Sequence, residues 1–152
     1  MWTGRLMAFN AEDYRIAAEE HVTAANQLYG LRRWALAHYV AGLAVECMFR
    51  AYRVRIDPQF DEKHYLGKLA KASGFLDIIS SERVEVISAA LSEVEARWQN
   101  DHRFRSEESL RRFLVERKLY LRIKGDFVKE SSRRIVNAAT ELVNLGARQW
   151  HR

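Results

Sequence analysis

The sequence predicts an all-α fold, an up-and-down helical bundle of four to five main helices, from three features. Apolar residues recur at three- and four-residue intervals over long segments, no convincing period-two alternation is present, and breakers are few, with one proline (Pro58) and seven scattered glycines. With 152 residues, 48% hydrophobic and 30% charged, the chain has the balance of one globular domain able to bury its own core. No Ser/Gly-rich linker, repeat or low-complexity tract divides it, so residues 1–152 are expected to form a single domain.

Asn10 caps the first predicted helix, with Glu12 and Asp13 in the first turn, where carboxylates face the positive helix end, and Gly30 stops it. Its inner face includes Tyr14, Ala17, Ala18, Ala25 and Leu28. A second helix runs from about Leu31 to Ile56, with Leu31, Trp34, Ala41, Val45, Met48, Phe49 and Tyr52 at helical spacing. It must end before Asp57-Pro58, because proline disfavours the helical conformation of its predecessor. Ala37, Ala41, Gly42 and Ala44 allow a neighbouring helix to approach closely.

A short helix from about Glu62 to Ala72 stops at Ser73-Gly74. Ser80-Ser81 with Glu82 has the form of a capped start to a third long helix, whose apolar stripe is Val84, Ile87, Leu91, Val94 and Trp98. Ser106 with Glu107 and Glu108 starts a further helix. Gly125-Asp126 begins the last one, with Ile135, Ala139, Leu142, Val143 and Leu145 turned inward before Trp150.

Several classes of function are disfavoured. Cys47 is the only cysteine, so an intrachain disulfide is excluded, and its apolar run AGLAVECMF makes it a packing residue suited to a reducing compartment. No apolar run reaches the ~18 residues of a membrane span, and MWTGRLMAFN lacks the apolar core of a signal peptide, so a soluble, cytoplasmic protein without membrane contact is expected. Gly-rich phosphate loops, GxSxG elbows and CxxC pairs are absent. The repeated Glu-x-x-His elements of a dimetal bundle are absent too, Asp61 to His64 being the nearest approach. No metal or cofactor is therefore expected, and His21, His38 and His64 are assigned satisfied or solvated helical positions.

The net charge of +5 and pI near 9.6 allow a polyanionic partner. The excess is local: Arg103 to Lys124 holds eight cations against three anions, and the remainder of the chain is balanced. Arg103, Arg105, Arg111 and Arg112 of this stretch are candidate RNA contacts. Phe104, Phe113 and Tyr120 interleave with the cations and could stack bases, but their helical spacing places them in the core.

The stretch RWQNDH, at the predicted end of the third long helix, sets Arg97 ahead of His102. Glu93, Arg97 and Asp101 lie at successive i,i+4 positions, so a solvated charge ladder is the plain reading. Spacing alone does not mark a site, since Arg15 to His21, Arg32 to His38 and Arg33 to His38 have similar intervals.

Position adds more. AAEEHVTAANQLYGLRRWALAHYVAGLAVECMFRAY, followed by KHYLGKLAKASG, resembles the opening half of HEPN domains, the all-helical domains named for higher eukaryotes and prokaryotes nucleotide binding. Ala44, Glu46, Arg50 and Ala51 in AVECMFRA occupy the family's AxExxLKA-like element, with arginine in place of the usual lysine. The family's other signature, Arg and His separated by four to six residues, falls at Arg97 and His102, where Trp98 replaces the small polar residue of many catalytic members. RFRSEESLRRFL is similar to HEPN sequence at the same junction, and the likeness covers roughly Ala11 to Trp150.

The resemblance implies a homodimer with a composite site that cleaves single-stranded RNA without metal, in a toxin, defence or stress role. Arg97 would then hold the scissile phosphate and His102 would act as acid and base, leaving a 2′,3′-cyclic phosphate. Asn100, Asp101 and Glu46 are candidate supporting residues, although Glu46 also has Arg50 one turn on as an ion-pair partner. The alternative is a catalytically silent HEPN module that binds a nucleotide, RNA or a partner protein. The Gly-Ser signature of the nucleotidyltransferases that often accompany HEPN domains is absent, so such a transferase, or an antitoxin, would be a separate chain.

Geometry constrains the catalytic reading. On a straight helix five positions advance about 500°, leaving Arg97 and His102 about 140° apart in azimuth. They converge only if the helix breaks near Asn100 or if two protomers share the site.

Overall fold

The computed structural model describes residues 9–61 and 66–151. Among them are six α-helices, two 3-10 turns and no strand, an all-α bundle whose long members are α1 (Ala11–Gly30), α2 (Trp34–Ile56), α4 (Val84–Arg97) and α6 (Phe127–Gln149). The shorter α3 (Leu66–Ala72) and α5 (Glu107–Glu116) fill the connections, with 3-10 turns at Phe75–Ile78 and Asn100–Phe104. The predicted start of the short helix at Glu62, and His64 with it, lie outside the described residues.

Helix starts follow local cap chemistry. Asn10 and Asp13 form a reciprocal capping box at α1, Ser106 accepts from the Ser109 amide at α5, and Asp126 accepts from the Val128 and Lys129 amides at α6. Two predicted starts are corrected. The second helix begins at Trp34 rather than Leu31: the Arg32 amide bonds to the Tyr29 carbonyl and that of Arg33 to the Leu28 carbonyl. This closes α1 in a Schellman turn with Arg32 left-handed (φ 59°), and Leu31 is exposed. The third long helix begins at Val84, because Ser80 to Arg83 form a turn closed by the Arg83 amide on the Ser80 carbonyl, and neither serine caps. Val84, expected in the apolar stripe, is exposed, whereas Ile87, Leu91, Val94 and Trp98 are buried.

α2 is the central element. It packs along α1 and α6, meets α3 and α5 more briefly, and α4 packs on α6. The main core joins Ala18, Val22 and Ala25 of α1 to Val45, Met48, Phe49 and Tyr52 of α2 and to Ile135, Leu142 and Val143 of α6. A smaller cluster joins Ala35 to Leu110, Phe113, Leu114 and Val128, with Trp34 at its edge, and ties α5 to the beginnings of α2 and α6. Phe113 is therefore a core residue, but Phe104 is 78% exposed and Tyr120 36%, against the expectation that both would be buried. Cys47 is buried as expected, and burial pushes its thiol up to about 12. No helix among the described residues is long and apolar enough to cross a membrane.

Candidate functional site

α4 stops at Arg97 because Trp98 (φ −116°, ψ 139°) and Gln99 (φ −136°, ψ 152°) are extended. What anchors the break is Trp98, whose indole Nε1 donates to the Tyr39 carbonyl at 3.0 Å while the ring lies on Gly42, where any Cβ would overlap it. The break near Asn100 is thus realised within one chain, and the next turn, Asn100–Phe104, carries His102 back toward the interior.

Arg97 and His102 both end up buried, 5% and 2% exposed. The Arg97 Nε donates to Glu93 at 2.7 Å and its Nη1 to the Ser131 hydroxyl of α6 at 3.1 Å. The His38 Nε2 of α2 lies 3.2 Å from that same hydroxyl, and the His38 and His102 rings are 5.4 Å apart. The Ser131 hydroxyl therefore joins Arg97 of α4 to His38 of α2. The Gln99 amide donates to His102 Nδ1 at 3.3 Å, and the ring meets Phe113 edge-on at 4.5 Å. His102 Nε2 and His38 Nδ1 are buried without a hydrogen-bond partner in the protein.

The solvated ladder of Glu93, Arg97 and Asp101 is therefore corrected: Glu93 pairs with Arg97, but the helix ends before Asp101 and the guanidinium runs inward. Burial, set against a smaller opposing pull from Asp101, pushes the His102 imidazole down to about 4. Burial also drives His38 well below the usual histidine range, reinforced by His102 and Arg97. Both rings are neutral at pH 7. A neutral imidazole can accept a proton, but it carries none that is acidic enough to protonate a leaving group.

The solvent-facing side of the same junction is a groove of about 1230 Å³ between α2, α3 and the Trp98–Arg103 segment. Of the predicted supporting residues, Asn100, Asp101 and Glu46 all line it, and Glu46 pairs with Arg50 at 3.8 Å, as the intrahelical reading expects. Burial raises the Glu46 carboxyl, and Arg50 and then Arg103 counter it. Arg97 and His102 do not line this groove. Of the predicted RNA contacts only Arg103 does, its guanidinium 4.7 Å from the exposed Phe104 ring. Arg105 is held by the Ser109 carbonyl and lies over Phe113. Arg111 lies over Phe127 and within 4.0 Å of Asp126, and Arg112 is exposed on α5.

Sequence reasoning missed His38 and Ser131 as partners of Arg97, and Arg50, Arg117, Tyr39 and Trp98 as groove residues. His38 had a signal, since it shares the stripe of Ala41, Val45 and Met48 along α2. Ser131 had none, being one of two serines in an otherwise ordinary helix start. Among the described residues no cluster of three His, Cys, Asp or Glu is placed to hold a metal ion. The chain matches no family model, no curated protein and no solved structure.

Proposed function

We propose that this chain is a HEPN-like helical module that binds single-stranded RNA in the groove beside the RWQNDH segment, with Arg97 and His102 holding the junction from within. The observation that carries this reading is the sorting of that segment by the helix break. Arg97 and His102 are buried in a side-chain network, while Asn100, Asp101 and Arg103 face the groove.

The groove's chemistry fits a nucleotide chain. Arg103 and Arg117 offer cations to phosphate, and Asp101, Glu95 and Asn100 offer acceptors to the exocyclic amines of bases. Phe104, 78% exposed beside the Arg103 guanidinium, presents a face on which a base can stack. A simple polyanion would make no use of Glu95 and Asp101, and a cationic ligand would meet Lys68, Arg103 and Arg117.

The test is fluorescence anisotropy of a labelled single-stranded RNA with the wild type, Arg103→Gln and Phe104→Ala. Binding by the wild type, weakened about tenfold or more by either substitution, is expected from the loss of one phosphate contact or one stacked base. Unchanged affinity in both variants refutes the groove as the site.

A second reading, metal-independent endoribonuclease activity, is favoured by one observation: the break brings Arg97 and His102 to a common cluster with His38 and Ser131. Chemistry there requires the cluster to be uncovered, by local opening or by a second protomer. Cleavage of RNA in EDTA that leaves 2′,3′-cyclic phosphate ends, lost in a folded His102→Ala variant, would establish it.

A further inference from the structure

The non-glycine residues with left-handed backbone among those described are Arg32, Lys118 and Arg122, all cations. Glycine or asparagine is the ordinary occupant of such a position, because a Cβ there is strained. Arg32 and Lys118 follow the ends of α1 and α5, where each closes a Schellman turn, and a cation near a helix C-terminus is favoured by the dipole. Arg122 has no such reason. It lies between Tyr120 and Ile123, whose backbones bond at 3.2 Å in a turn that follows no helix end. Strain of this kind, at a site where glycine would serve the backbone better, points to a demand on the side chain.

The surroundings indicate what that demand is. The segment from Arg117 to Asp126 carries Arg117, Lys118, Arg122 and Lys124, all exposed, and Asp126 is its single carboxylate. Asp126 is engaged in capping α6, and no ion pair with a described residue involves any of the four cations. Tyr120 and Leu121 are exposed among them, and the Tyr120 ring has an aromatic backing in Phe127 at 5.8 Å. Arg117 also lines the groove, so the loop starts at the groove's edge.

We propose that the α5–α6 loop, residues 117–126, is a second nucleic-acid contact that carries the phosphate backbone of a single-stranded RNA out of the groove, with Lys118, Arg122 and Lys124 as phosphate ligands and Tyr120 as a stacking platform. The inference rests on the groove reading for the direction of the strand, and on the loop's own charge and backbone for the contact. An anionic membrane surface is the less fitting partner, since Leu121 is the one aliphatic side chain among these cations that is strongly exposed.

The test compares a trinucleotide, which occupies the groove alone, with a twenty-nucleotide RNA, by anisotropy across a range of NaCl concentrations. The proteins are the wild type, Arg103→Gln, the triple variant Lys118→Gln/Arg122→Gln/Lys124→Gln, and Arg122→Gly. Each phosphate contact to a single strand contributes about 0.7 to the slope of log affinity against log salt, so the triple variant should lower the slope for the long RNA by about 2. It should leave trinucleotide binding unchanged. Arg122→Gly relieves the backbone, so its melting temperature should be no lower than wild type while its salt slope falls by about 0.7.

An unchanged slope in the triple variant, or an equal loss for the trinucleotide, overturns the loop contact and leaves the groove reading standing. Long-RNA binding that responds to the triple variant but not to Arg103→Gln supports the loop and removes the groove. A wild type that binds neither RNA, or that binds phosphatidylserine vesicles in preference to the long RNA, overturns the loop contact as proposed.

Discussion

Acidification should destabilise this protein through one interior imidazole in particular. His102 is 2% exposed, and its neighbours are the His38 and Phe113 rings, the Gln99 amide, and the charges of Asp101, Arg105 and Arg117. Burial holds it at about 4, against an ordinary value near 6.5. Between those values the unfolded chain binds a proton that the folded chain refuses, so stability is fully present above pH 6.5 and falls as the pH drops toward 4. A shift of that size makes the contribution of His102 about 2 kcal/mol at pH 5 and about 3 kcal/mol once the pH is below 4. His38 is displaced in the same direction, so its contribution adds to this loss. Urea unfolding monitored by tryptophan fluorescence at intervals from pH 8 to pH 4.5 measures the loss, with His102→Phe as the non-titrating reference. The comparison is between pH slopes, so a constant packing cost of the substitution cancels. The wild type should lose about 2 kcal/mol more than His102→Phe between pH 8 and pH 5. Parallel curves for the two proteins would show that His102 titrates normally, and with it that the ring is not sealed inside the fold.

Three further outcomes test the packing that builds the site. Gly42→Ala places a methyl group inside the Trp98 indole, so the ring must leave and the break after Arg97 loses its anchor; the expected cost is about 3 kcal/mol or more, seen as a lower melting temperature with red-shifted tryptophan emission. Cys47, with its thiol pushed up to about 12, should resist an aromatic disulfide reagent at pH 8 in the folded protein and react on addition of denaturant. Asp126→Ala removes the acceptor for two amides at the start of α6 and should cost about 1 kcal/mol in urea unfolding, whereas Asp126→Asn should retain most of the stability.

Helix starts were legible wherever the cap is a local event. Asn10, Ser106 and Asp126 each accept hydrogen bonds from amides two or three residues ahead, so the information lies within one turn of sequence. Ser80-Ser81 offers the same side chains but the chain turns there instead, and Val84 and Val86, apolar in sequence, are exposed at the start of α4. Capping chemistry proposes a start; the register of the buried face decides it, and that face begins at Ile87. The Schellman turn after α1 was hidden for the opposite reason, since it places arginine where glycine is the usual sign. The interior cluster was beyond reach because Arg97, His38 and Ser131 come from three helices, and only their packing brings them to one hydroxyl. The groove was partly visible: Asn100, Asp101, Glu46 and Arg103 were named from the sequence, while Arg50 entered as a pairing partner and Arg117 as part of a charge count.

Trp98 determines which side of the RWQNDH segment meets solvent. Had α4 continued through it, Arg97 and His102 would diverge by about 140°, and no single face could hold both. The indole instead fills the space over Gly42 and donates to the Tyr39 carbonyl of α2. Fixing that ring forces the backbone at 98 and 99 into an extended path, and the following 3-10 turn sends His102 to the side opposite Asn100, Asp101 and Arg103. His102 goes in against Phe113, while Asn100, Asp101 and Arg103 go out to the groove. A small polar side chain at position 98 could neither fill that space nor anchor the turn, so the segment would be freer to present its arginine and histidine outward. The bulk of Trp98 therefore holds the segment in one arrangement, and it ties the order of the groove to the same break that buries the imidazole.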